Sequence, residues 1–153
     1  WHERAHAFSA RVVDFSEFLA TPERLDPLKT QLGPIGSQPL AYDDPCHLCH
    51  GQGVRSAPRA LLAAIPGANL VELEDPEACC GSAGIHSMLR PAAASALLAE
   101  RLQDLERSGA QVLVTANPGC HMQWAGGLAQ AKSDKQVQHI AEVLAEALKP
   151  NAS

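Results

Sequence analysis

Aromatic side chains are scarce in this 153-residue chain: two Trp, one Tyr and three Phe make up 4% of it. A core so short of rings has to be aliphatic, drawn from the Leu, Val, Ile and Ala that dominate the 46% apolar content. Basic residues are outnumbered 12 to 17 by acids, for a formal net charge of −5. Such a surface does not neutralise a run of phosphates, which excludes nucleic acid as the main partner. No apolar stretch approaches the roughly 18 residues that cross a bilayer. No signal-peptide pattern is present either. That absence says little, because the chain starts at Trp1 rather than Met and reads as a piece of a longer protein. Its length suits one domain with its own core.

Cysteine is present but far below the density of a disulfide scaffold: five residues, an odd number, so a complete set of internal disulfides is impossible. Metal or cluster ligation and free thiols remain. Cys46-His47-Leu48-Cys49-His50 matches the attachment signature of a c-type haem. A haem would use both thiols, His50 as axial ligand and a second ligand such as Met88 or Met122. It would leave Cys79, Cys80 and Cys120 without a role, and it is set aside on that ground.

Strand-like and helix-like segments alternate along the middle of the chain. Pro39–Tyr42 is a short extended run closed by Asp43-Asp44-Pro45. Ala57 to Ile65 reads as a helix stopped by Pro66-Gly67. Leu70–Leu73 is the next strand. Pro91 opens a helix to about Arg107, with Leu98, Leu102 and Leu105 on its stripe and Gly109 as its stop. Gln111–Thr115 is a β-branched strand broken by Asn117-Pro118-Gly119, and a helix starts near Cys120. A last helix spans about Ile140 to Leu148. This alternation predicts an α/β fold, a Rossmann-like open parallel sheet with helices on both faces. One internal similarity stands out: Val12–Ala20 (VVDFSEFLA) aligns with Val137–Ala145 (VQHIAEVLA). Any amphipathic helix after a short strand can look like this. The sharper reading makes both segments the closing unit of a duplicated domain, with PLKTQLGPIGSQP as the linker between copies.

Each cysteine-bearing loop follows a predicted strand: Cys46 after the first, Cys79 and Cys80 after the second, Cys120 after the third. In an open parallel sheet, ligands collect beyond the carboxyl ends of the strands, so these loops are expected to converge there. Gly81 and Gly84 permit sharp turns beside Cys79 and Cys80, and Gly119 does so beside Cys120. Backbone amides at such turns can donate to thiolate or inorganic sulfide.

The residues Cys46, Cys79-Cys80-Gly81 and Cys120 resemble the pattern of the CCG cysteine-rich domain. That domain occurs in the glycolate oxidase iron–sulfur subunit, in lactate-utilisation proteins and in heterodisulfide reductase. Thirty-two residues separate Cys46 from Cys79 and thirty-nine separate Cys80 from Cys120, near the family's spacing. YDDPCHLCHGQGV, VELEDPEACCGSAGI and ANPGCHMQW look most like the glycolate oxidase protein. The resemblance covers residues 40 to 148. It implies that residues 1–38 are the tail of a preceding repeat plus linker and that 39–153 are the cysteine-rich domain. It further implies a ferredoxin-like region and a preceding CCG repeat in the same protein. The partner would be a flavin (FAD)-containing 2-hydroxy-acid dehydrogenase subunit. The location would be cytoplasmic, with peripheral association at the inner face of the membrane through the complex. This domain's part would be an electron-transferring iron–sulfur centre, with no catalytic residue of its own.

The resemblance implies Cys46, Cys79, Cys80 and Cys120 as metal ligands. The fullest family pattern ends in C-x-x-C, whereas here Gln123 stands in the last position, so a five-cysteine noncubane cluster is not expected. Four thiolates suit a [4Fe–4S] cluster or tetrahedral zinc. The zinc alternative would make the chain a structural or interaction domain of a heterodisulfide reductase-like or lactate-utilisation-like subunit. An interaction domain that has lost its metal is a third alternative. Cys49 is either a bystander thiol, the favoured reading, or a replacement ligand. Gly81, His47, His121 and Gln123 are expected around the ligands. His50 and His86 also flank cysteine loops, and Asp43 and Asp44 read equally as acid/base groups or turn formers.

Overall fold

The computed structural model describes residues 1–148. Four parallel strands form one sheet in the order β2-β1-β3-β4: β1 (Leu40–Asp43), β2 (Leu70–Val71), β3 (Val112–Thr115) and β4 (Gln136–His139). Leu40 pairs with Leu70 on one side and Val112 on the other, and Val112 pairs in turn with Gln136. The helices are α1 (His2–Ser9), α2 (Phe15–Ala20), α3 (Pro22–Gln31), α4 (Cys46–Cys49), α5 (Ser56–Ala63), α6 (His86–Leu89), α7 (Pro91–Ser108), α8 (Pro118–Gln130) and α9 (Ile140–Ala147). Among the described residues no helix is long and apolar enough to cross a membrane.

Strand residues point alternately to opposite faces, and the core divides accordingly. Leu40, Tyr42, Val112 and Val114 face α5 and α9, where Leu61, Leu62, Ile65, Ile140, Val143 and Leu144 are buried. Ala41 and Leu113 face α7 and α8 through Leu98, Leu105, Trp124 and Leu128. The expected two-faced parallel sheet is therefore present. α7 ends at Gly109 in the left-handed region, φ 73°, as its sequence predicts. The second strand is shorter than expected, ending at Val71 rather than Leu73. Glu72 is drawn to Arg59 instead, while Leu73 still packs into the core.

Two features differ from the expectation. β4 lies at the sheet edge and its partly exposed Gln-Val-Gln-His sequence carries little apolar signal. Pro27–Gln31, expected to begin a linker, are helical and belong to α3. Leu25 and Leu28 pack on the core and Leu32 is buried in it. That burial outweighs the penalty of Pro27 inside a helix, about 3 kcal/mol. Gly33 N–H then donates to Ala147 O at 2.7 Å, fastening this segment to α9.

The aligned segments share a helix start. α2 begins at Phe15 with an Asp14/Glu17 capping box, and α9 begins at the aligned Ile140 with a His139/Glu142 capping box. Only the second is preceded by a sheet strand, while Val12 and Val13 are exposed.

Leu113, fully buried on the central β3, sets the stability of the layer it faces. Leu113→Ala is expected to cost about 3 kcal/mol in urea unfolding. Val12→Ala is expected to change stability by less than about 0.5 kcal/mol. Equal effects would contradict this core assignment.

Candidate metal centre

The chain runs from β1 out to β2 and then crosses back to β3 on the other side of β1. The carboxyl ends of β1 and β3 therefore flank the topological switch point, where this kind of sheet opens a crevice. Cys46 lies three residues beyond β1 and Cys120 five beyond β3. The loop after β2 brings in Cys79 and Cys80.

Cys80 and Cys120 meet in the core between the sheet, α7 and α8, with their Sγ atoms 3.1 Å apart. A hydrogen bond joins the two thiols. The hydrogen bond from Cys120 brings Cys80 down to about 7, against the opposing effect of burial. The same bond, together with burial, pushes Cys120 up. Cys46 is exposed at the first position of α4. Cys79 is exposed, and its Sγ accepts from Gly81 N–H at 3.3 Å. Among the described residues, no three of these four sulfurs lie within 4.8 Å of one another. A tetrahedral zinc at about 2.3 Å from each sulfur would need every pair near about 3.8 Å. Four thiol donors suit an iron–sulfur centre by their chemistry, with Cys80 and Cys120 the two already in contact.

The surrounding backbone suits close approach. Gly81 has φ 88°, and a Cβ there would lie 2.6 Å from Ala94 O in α7. No other residue fits this turn without displacing α7. Asn117 caps α8: its Oδ1 accepts from Gly119 N–H at 2.7 Å and from Cys120 N–H at 3.1 Å. Its Nδ2 is then left to donate to His47 Nδ1, 3.0 Å away. Neutral His47 therefore carries its proton on Nε2, and one side chain ties the Cys46 turn to the Cys120 helix. His121 and Gln123 are half-buried on α8. Gln123 lies one turn beyond Cys120, and among the described residues its side chain has no hydrogen-bond partner.

Cys49 takes another direction. Its Sγ contacts the carbonyl oxygens of Asp44 and Cys46 at 3.8 and 3.9 Å. Burial raises its pKa, helped by Glu77 and Asp44. An exposed Cys46 and a buried Cys49 do not share an open face on which one porphyrin could be attached.

Buried charge fixes the loops, and nothing in the sequence pattern announces it. Arg101 of α7 donates to Asp43 at 3.1 Å, to Asp104 at 2.8 Å, and to Asp75 O. Asp104 accepts from Glu74 N–H at 2.9 Å and Asp75 N–H at 3.3 Å. Arg59 grips Asp44 through two bonds of 2.9 and 2.8 Å, and Asp44 N–H donates to Pro76 O at 2.9 Å. Asp43 and Asp44 are thus neither turn formers alone nor free acids. Burial raises Asp43 to about 6, with Arg101 the main opposing influence.

Comparison with known proteins places these features in a group. The family model described as the CCG "Cysteine-rich domain" matches residues 40–125. The chain is 35% identical over 149 residues to the "Probable glycolate oxidase iron-sulfur subunit" of Bacillus subtilis, covering 96% of this chain and 33% of that protein. It is 35% identical over 134 residues to one of the subunits of the "Fumarate reductase (CoM/CoB)" of Methanothermobacter marburgensis, covering 87% and 26%. It is 31% identical over 150 residues to "Lactate utilization protein A" of an Exiguobacterium species, covering 97% and 59%. The chain therefore spans between a quarter and three-fifths of these relatives.

Asp43 gives a pH test. Its pKa is higher folded than unfolded, so its contribution to stability is fully present below the ordinary carboxylate pKa. That contribution is lost as pH rises through about 6. Between pH 4 and pH 7 the wild type should lose about 2 kcal/mol relative to Asp43→Asn. Denaturant titrations of both proteins across that range check it, and a constant difference would contradict it.

Proposed function

The chain belongs to the CCG cysteine-rich domain family, and on that premise we propose that it is an iron–sulfur electron-transfer domain. Its setting is a flavin-linked 2-hydroxy-acid dehydrogenase complex of the glycolate oxidase type. Cys46, Cys79, Cys80 and Cys120 hold a [4Fe–4S] cluster in this reading, and the flavin (FAD) resides on a partner subunit. The cluster, when bound, supplies one-electron transfer. The observation that carries the reading is the meeting of Cys80 with Cys120 beside the β1/β3 switch point. The names of the relatives, two of them subunits of oxidoreductases, support the same direction.

The chain's own residues would do the following work. Gly81 N–H donates to the Cys79 sulfur and orients it. Cys120 is held in the first turn of α8 by the Asn117 cap, which takes up the Gly119 and Cys120 N–H groups. Asn117 holds His47 with Nε2–H directed away from the cap, available as a donor. Gln123 stands where a fifth thiolate would otherwise be, so a four-thiolate centre is assigned.

We assign residues 1–38 to the end of a preceding repeat and its connection, and 39–153 to this domain. The shared capping boxes at Phe15 and Ile140 support that division. So do the exposed Val12, Val13, Phe15 and Phe18, which have the sequence of a strand and helix but no sheet beside them.

Anaerobic purification followed by iron, acid-labile sulfide and zinc analysis tests the function. Iron and sulfide in equal amounts are expected, with loss of both in Cys80→Ser and Cys120→Ser. Zinc without sulfide would replace this reading with the structural one.

A further inference from the structure

Outside the four-cysteine rim, one other group of ligand-type side chains converges. We propose that Cys49, His50 and Glu77 form a second metal site, for a divalent ion of the zinc type. The Cys49 thiol, a His50 ring nitrogen and a Glu77 carboxylate oxygen lie within 4.8 Å of one another. Zinc–ligand bonds of about 2.0–2.3 Å at tetrahedral angles put such atoms about 3.5 Å apart. The closing movement needed is at most about 1.3 Å, within the reach of small side-chain rotations. Soft thiolate, imidazole and carboxylate together match zinc, cobalt or nickel rather than magnesium or calcium.

The site is built on restrained backbone. Cys49 and His50 close the α4 turn. Glu77 follows Pro76, whose carbonyl is bonded to Asp44 N–H at 2.9 Å. The Glu74–Asp75 amides just before it are bonded to Asp104. Cys49 has only long contacts with carbonyl oxygens, so a metal displaces no strong bond there. The His50 and Glu77 side chains are 56% and 34% exposed, which leaves a fourth position open to water. Glu77 at present neutralises Arg55, through bonds of 2.5 and 3.2 Å, and lies 3.7 Å from His50 Nδ1. A metal would compete with Arg55 for the carboxylate. It would also clamp the loop after β1 to the loop after β2, the two that carry Cys46 and Cys79-Cys80. The rim cysteines take no part, so the site stands whether or not they hold a cluster.

Cobalt(II) is the probe, because a thiolate ligand gives it a charge-transfer band. In the full chain with Cys46, Cys79, Cys80 and Cys120 replaced by Ser, one cobalt per chain with that band is expected. Adding Cys49→Ser should abolish the band. His50→Gln or Glu77→Gln should weaken binding about tenfold or more. Arg55→Gln should tighten it, whereas a merely structural ion pair would give no gain. Absence of the band in the folded four-serine protein overturns the proposal, as does binding indifferent to Cys49→Ser. Should that protein fail to fold, the otherwise wild-type chain and its Cys49→Ala variant are reloaded with zinc after chelation. One equivalent fewer in the variant is expected, and equal stoichiometry overturns the site.

Discussion

A single buried guanidinium holds the cysteine rim in shape. Arg101, only 3% exposed, reaches from α7 to Asp43 at the end of β1, to Asp104 on its own helix and to the backbone of the loop after β2. Together with the Asp104 bonds to the Glu74 and Asp75 amides and the Asp44–Pro76 bond, it gives three segments one relative position. Burying such charges costs several kcal/mol per ion, and their mutual attraction roughly offsets that cost. The upward shift of Asp43 despite its partner reflects the same balance. The network is therefore poorly explained as a source of stability and well explained as a device for geometry. Removing one member would leave its partners charged and dry.

The short α4 turn separates two kinds of sulfur chemistry. Its first residue, Cys46, is exposed, and its last, Cys49, is buried with its sulfur within 4.8 Å of a Glu77 carboxylate oxygen. Three residues along a helix make this separation, and Arg59 fixes it from below by gripping Asp44 just before the turn begins. The switch point of the sheet supplies the opening, while the two Arg–Asp anchors determine where the loops stand around it.

Much of this is legible in the residues, for identifiable reasons. Val112–Thr115 is β-branched and central, and Pro91 and Gly109 bracket a helix with a clear stripe, so β3 and α7 can be read directly. β4 cannot, because an edge strand of Gln and His lacks apolar alternation. The helical identity of Pro27–Gln31 is hidden by Pro27, although Leu25, Leu28 and Leu32 have the spacing of a packed face. Asn117-Pro118-Gly119 reads as a strand breaker, yet Asn before Pro at a helix start is also a cap signal. Arg101 and Asp104 look, in sequence, like any charged pair on the outside of a helix. Only the sheet topology reveals that this side of α7 faces Asp43.

The same topology explains why the two buried thiols are not enough to define the centre. Cys80 and Cys120 belong to the core on the α7/α8 face and are fixed by the packing of Leu113, Trp124 and Leu98 around them. Cys46 and Cys79 are exposed and have no such constraint. Ile85, Met88 and Leu89, in and just before the short helix after Cys80, and Met122, two residues after Cys120, are all largely exposed apolar residues. A rim with two rigid sulfurs inside, two open ones outside and apolar side chains nearby is half protein core and half surface. The fold of this chain fixes Cys80 and Cys120 by packing and leaves Cys46 and Cys79 at its surface.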